Sequence, residues 1–119
     1  MLGTFVLSAG YYDAYFTRAQ KVRELLTEKT DLIFKDFDFI ILPTSPAVAF
    51  KSGEMTRDPI AMYLADIYTV MANLVGVPAI SVPIFQHKIT GMAFGLQVLS
   101  RRFDELSLLR FSNQLTQSH

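Results

Sequence analysis

The chain has 119 residues, 50% hydrophobic and 18% charged, with 11 basic and 11 acidic side chains giving a formal net charge of zero. That balance leaves no basic surplus to neutralise phosphates, so the segment by itself is a poor nucleic-acid binder; the absence of cysteine excludes disulfides, thiolate metal sites and cysteine nucleophiles. A mean hydropathy of +0.28 is high for so small a chain, and it predicts apolar surface that a partner, the rest of a longer polypeptide or self-association would cover.

No apolar run reaches transmembrane length, because Asp66 and Asn73 interrupt the longest one. The opening Met1–Leu7 lacks the basic start and continuous apolar core of a secretory signal. The chain reads as soluble, and a cytoplasmic location is expected. Residues 1–9 contain no helix-start signal, as though the chain began inside an element.

From Tyr12 to about Phe34 the spacing predicts a long amphipathic helix. Tyr12, Tyr15, Ala19, Val22, Leu26 and Ile33 recur at helical steps, with Arg18, Lys21, Glu24, Glu28 and Asp31 on the solvent side. Phe39–Leu42 follows as a short apolar run, read as a buried strand over 39–42. Pro43-Thr44-Ser45-Pro46 ends it, since neither proline offers a ladder N–H. A loop at the carboxyl end of a strand is a common place for a site in α/β folds. Thr44 and Ser45 are therefore candidate site-lining hydroxyls, with an ordinary ordered turn as the alternative.

Asp58-Pro59 is a helix start, and Gly76 sits where a left-handed C-cap belongs. A continuous helix over 59–75 would align Tyr63, Asp66, Thr69 and Asn73 on one side of an otherwise apolar cylinder. Short hydrogen-bonding groups with no lysine or glutamate among them point to a polar site or wet cavity. Asp66 is then either a structural cap or a carboxylate satisfied by nearby backbone N–H groups, or else a ligand contact. Further strands are expected over 79–84 and 92–99, paired antiparallel through a short loop. Gly95 would mark a bulge or a close backbone approach. A last helix over 104–116 opens with Asp104 as N-cap and a Phe103–Leu108 staple.

His87 and His119 make neither a metal site nor a triad, and no nucleophile elbow, phosphate loop or dinucleotide fingerprint occurs. The chain contains no complete catalytic constellation of its own.

Several runs nonetheless resemble one family. They are Ser8-Ala-Gly-Tyr-Tyr-Asp-Ala-Tyr15, Leu42-Pro-Thr-Ser-Pro46, Asp58-Pro-Ile-Ala-Met-Tyr63, Asp66-Ile-Tyr-Thr69, Asn73 through Pro83, and Gly95-Leu-Gln97. Together they are similar to the C-terminal part of the A subunit of the bacterial glutamyl-tRNA(Gln) amidotransferases, within the amidase-signature hydrolases. The resemblance implies an α/β fold, here a piece of the amidase-signature domain with short mixed-sheet strands packed by helices over residues 1–119. It implies a glutaminase subunit whose ammonia serves to amidate Glu-tRNA(Gln), acting with subunits B and C. ATP and Mg would be used by the assembled enzyme, mainly in the partner subunit, with no cofactor or metal held by this chain.

The family's chemistry uses a serine nucleophile, a second serine and a lysine, a variant of base-activated nucleophilic catalysis. None of these, and no Gly-Gly-Ser-Ser-Gly run, falls within the 119 residues. The segment is thus expected to be inactive alone. Asp66 matches the family aspartate that binds the α-amino group of glutamine; the arginine for the glutamine carboxylate would lie just before Met1. The family commonly has proline where this chain has Met71, which predicts a helix starting or kinking near Thr69. Two other readings remain: a different amidase-signature amidohydrolase, and a non-catalytic interaction module.

Overall fold

A three-stranded antiparallel sheet, seen in a computed structural model that describes residues 12–53 and 58–118, carries helices on both faces. The elements in order are a π-helical turn Tyr12–Phe16, α1 Thr17–Asp36, β1 Phe39–Pro43, α2 Pro59–Ala65, α3 Val70–Val75, β2 Ala79–Gln86, β3 Ala93–Ser100 and α4 Glu105–Gln117. The strand order is β1-β3-β2, so the last strand in the chain lies in the middle of the sheet.

Register assigns each face its partners. Leu99 sits opposite Ile40 and Ala79, and it joins Phe34 of α1 with Ala72, Val75 and Val77 in the main core; Leu26, Ile40, Leu42 and Met71 pack against that cluster. On the other face Phe39 stacks on Phe111 of α4, ring centroids 4.4 Å apart. Leu108 and Val98 are buried. Removing a fully buried side chain such as Leu99 to alanine would cost about 2–5 kcal/mol.

Local signals set the element ends. Asp58 accepts the Ile60 N–H at 3.0 Å with Pro59 at the first helical position. Gly76 closes α3 at φ 74°, its N–H bonded to the Ala72 carbonyl at 2.9 Å. Between β2 and β3, His87 Nδ1 accepts from the Thr90 N–H at 3.3 Å. Arg101 donates to the Phe34 and Phe37 carbonyls at 2.9 and 3.4 Å and pairs with Asp38 at 3.3 Å, tying the end of α1 to the sheet.

Four expectations need correction. The single helix over 59–75 is two, α2 and α3, separated by a turn at 66–69. The main-chain carbonyl of Asp66 takes the N–H groups of Thr69 and Val70 and so starts the second helix. The strand over 39–42 is not buried but an edge, Ile41 being 47% exposed, because among the described residues only β3 pairs with it. Of the predicted α1 row only Leu26 is shown packing inward, joined by Thr30 and Phe34, while Tyr15, Ala19, Val22 and Ile33 are exposed. Finally, Phe103 is 93% exposed at φ 59°, so no Phe103–Leu108 staple forms; Asp104 occupies the cap position without a side-chain cap bond. His119 and residues 1–11 and 54–57 lie outside the described residues.

The molecule is a slab of 53 × 41 × 19 Å with a radius of gyration of 17.3 Å. Leu25, Leu32, Phe37, Leu64, Ile67, Leu106 and Leu109 all remain more than half exposed. The sequence's apolar surplus is therefore on the surface.

Candidate functional site

Where β1 ends, three strands meet around one glycine. The Thr44 N–H donates to the Gly95 carbonyl at 3.0 Å, and the Thr44 and Ser81 hydroxyls share a bond of 2.6 Å. A side chain at Gly95 has no room: a Cβ there would stand 2.7 Å from Ser81 Oγ and 2.8 Å from Thr44 Oγ1. The expected close approach at Gly95 is thus made by two hydroxyls lying over the central strand. Just beyond Ser81 along β2, at Pro83–Phe85, the register slips.

This node forms one end of a cleft of about 590 Å³. Its walls come from the loop after β1, including Ser45, Val48 and Phe50, from Leu64 and Ala65 of α2, and from Phe94. The lining is mostly apolar, and no titratable side chain contributes to it among the described residues. Of the two hydroxyls at the node, one proton is spent between them; the other remains to donate, with lone pairs to accept. The arrangement can bind and shape a ligand, but it contains no base to activate a nucleophile.

The expected site residues divide into two groups. Thr44 and Ser45 line the cleft. Ser45 is partly engaged in its own turn, donating to the Ala47 carbonyl at 2.9 Å. Asp66, Thr69 and Asn73 gather at the α2–α3 junction, beside the cleft wall through Ala65 but not in the lining. Their hydrogen bonds are local: Thr69 Oγ1 donates to the Asp66 carbonyl at 3.0 Å, and Asn73 Nδ2 donates to the Thr69 carbonyl at 3.3 Å. The break at 66–69 dissolves the predicted single stripe, and Tyr63 stands 78% exposed on α2. The Asp66 carboxylate is exposed and accepts no hydrogen bond among the described residues, while its carbonyl accepts three. Of the two structural alternatives, backbone N–H groups do not satisfy the carboxylate among those residues, whereas Asp66 does occupy the cap position at the end of α2, through its main chain. Ser81 was missed: the sequence shows it only as a hydroxyl in a short strand, and its partner Thr44 is 37 residues away.

Gln97, opposite both Leu42 and Ser81, is buried, and its side-chain oxygen has no hydrogen-bond partner among the described residues; the same holds for Ser112 Oγ of α4. No group of three or more histidine, aspartate or glutamate side chains that could hold a metal occurs among the described residues. No helix among them is long and apolar enough to cross a membrane.

Comparison with known proteins supplies the wider frame. The A subunit of the glutamyl-tRNA(Gln) amidotransferase of Koribacter versatilis is 53% identical over 113 residues, covering 95% of this chain and 23% of that protein. The crystal structure of the corresponding A subunit from Thermotoga maritima superposes with a TM-score of 0.72 at 48% identity, over 87% of this chain and 22% of that one. The 6-aminohexanoate cyclic dimer hydrolase has the same fold, with a TM-score of 0.74 at 22% identity over 93% of this chain and 25% of that one. The chain thus spans about a quarter of the length of the relatives it matches. The model of the family described as Amidase matches residues 1–109, and on that span the chain belongs to the amidase family.

Proposed function

We propose that this chain is part of the glutamine-hydrolysing subunit of an amidotransferase that supplies ammonia for converting Glu-tRNA(Gln) to Gln-tRNA(Gln). The observation that carries the reading is identity near one half across almost the whole chain to proteins named as that subunit, one of them with the same fold in a crystal. The serine nucleophile, second serine and lysine of the chemistry lie outside these 119 residues, so the chain alone releases no ammonia. Asp66 receives the α-amino group of glutamine, a charge-assisted hydrogen bond between ammonium and carboxylate. An exposed carboxylate on a pinned backbone supports that role. Thr44 and Ser45 contribute polar lining in the cleft, and Thr69 and Asn73 stand beside Asp66 at the helix junction. Subunits B and C are the partners, Glu-tRNA(Gln) is engaged through the complex, ATP and Mg act mainly in the partner subunit, and the assembly is cytoplasmic.

The test is glutaminase kinetics on the full-length protein in its complex. Asp66→Asn removes the charge but keeps the shape, and it should raise KM for glutamine by about tenfold or more, the loss expected for one charge-assisted hydrogen bond. An unchanged KM defeats the assignment. Ammonia release by the purified 119-residue chain would defeat the expectation of inactivity. The apolar lining of the cleft favours a second reading, an amidase-family amidohydrolase acting on a less polar amide. A panel of glutamine against aliphatic and aryl amides on the full-length protein separates the two.

A further inference from the structure

Helix α3 has six residues, too few to hold itself in water. Its place depends on what secures its two ends. At the start, the Asp66 carbonyl takes the N–H groups of Thr69 and Val70 at 3.1 and 3.2 Å as well as the Thr69 hydroxyl. At the finish, Gly76 and Val77 both donate to the Ala72 carbonyl, which leaves the later carbonyls of the last turn without intrahelical partners. Two arginines from distant parts of the chain take them up. Arg23 of α1 donates through Nε to the Leu74 carbonyl at 2.7 Å, and Arg102, just after β3, donates through Nη2 to the Val75 carbonyl at 2.9 Å. Both cations lie at the negative end of the helix dipole, where they are favourable.

We infer that Arg23 and Arg102 are positioning residues for the Asp66 carboxylate; the inference rests on the glutamine-binding role given to Asp66 above. The two guanidiniums thus hold the carbonyls of Leu74 and Val75 in the last turn of α3, and the start of the same short helix is tied through the Val70 N–H to the main-chain carbonyl of Asp66. The buried side of the helix adds Ala72 and Val75 as a pivot in the core. No donor among the described residues holds the carboxylate itself, so its aim is inherited from its backbone, which α2 holds through the Asp66 N–H on the Tyr63 carbonyl at 3.2 Å and α3 through the Asp66 carbonyl. Losing one arginine frees one corner of the last turn and lets α3 tilt about that pivot. The charge of Asp66 is unaffected, but its position against the ammonium is not. The expected signature is weaker glutamine binding with the chemical step left intact.

The experiment measures glutaminase KM and kcat on the full-length protein in its complex, with kcat expressed per folded protein. Asp66→Asn comes first: if KM does not move, the glutamine-binding role falls and this inference falls with it. If it does move, Arg23→Ala and Arg102→Ala should each raise KM about three- to tenfold, with kcat within about twofold of wild type, as for a small misplacement of a binding group. Arg→Lys at either position keeps a cationic donor and should return KM most of the way. Where an alanine variant fails to fold, Arg→Met at the same position, which keeps the apolar stem, is read instead. KM unchanged in the arginine variants, or kcat falling with KM constant, overturns the inference while leaving the role of Asp66 standing.

Discussion

Gly95→Ala is a demanding test of the strand junction. Gly95 has no positive φ, so the substitution brings no backbone strain, and its whole effect is steric. The new methyl would stand 2.7 Å from Ser81 Oγ, 2.8 Å from Thr44 Oγ1 and 3.3 Å from Thr44 Cβ. The two hydroxyls are small groups that can rotate, but doing so breaks their 2.6 Å bond. That loss is worth about 0.5–1.5 kcal/mol. The Thr44 Cβ cannot rotate away, because its backbone is held by the Gly95 carbonyl at 3.0 Å; the residual overpacking adds about 1–3 kcal/mol. The sum is a destabilisation of about 1.5–4.5 kcal/mol, read as a fall in the urea midpoint of the full-length protein at constant m-value. Replacing both Thr44 and Ser81 by alanine removes the two closest atoms. In that background Gly95→Ala should cost less than about 1 kcal/mol, a coupling measurable by a double-mutant cycle. Strictly additive costs, or a single substitution costing less than about 0.5 kcal/mol, within the range of a neutral surface change, would refute the junction as described.

Asp58→Ala removes the acceptor for the Ile60 N–H and should destabilise by about 0.5–2 kcal/mol in denaturant unfolding. Gly76→Ala forces a Cβ into the left-handed region at φ 74° with open space around it, so the cost is conformational alone, about 1–2 kcal/mol, and Gly76→Asn should cost less. Gln97→Met replaces a buried amide, whose oxygen has no partner among the described residues, by an apolar side chain of similar size, and thermal unfolding should show no loss or a gain in midpoint. The isolated 119-residue chain should self-associate at micromolar concentration through its exposed apolar side chains, seen as a mass above 13.4 kDa by light scattering.

The signals legible in the sequence were those that act over a few residues. Asp58-Pro59 and Gly76 mark helix ends because a cap and a left-handed glycine are satisfied by their immediate neighbours. The end of β1 at Pro43 was readable for the same reason, whereas β2 runs past Pro83 to Gln86 through a register slip; β2 extends two residues and β3 one beyond the expected bounds. What depends on tertiary pairing was not readable. The order β1-β3-β2 makes Phe39–Pro43 an edge, which no property of Phe-Ile-Ile-Leu reveals. Ser81 acquires its importance from Thr44, and Arg23 from Leu74, across dozens of residues. The helix break at Asp66 was foreshadowed only by Met71 standing where the family commonly has proline. Its physical cause is the main-chain carbonyl of Asp66, which starts α3. Phe103 misled because a cap-flanking aromatic packs inward only if the entering backbone permits it, and φ 59° turns it out to solvent.

The slab shape has a consequence for how the chain would be observed in solution. A folded chain of 119 residues packed to ordinary compactness has a radius of gyration of about 13.5 Å, against the 17.3 Å found here. By the same scaling, 17.3 Å belongs to a compact protein of roughly 230 residues. A single copy of this plate would therefore scatter X-rays with the apparent size of a globular dimer. Size alone would count two molecules where there is one, and only a measurement of mass would tell them apart.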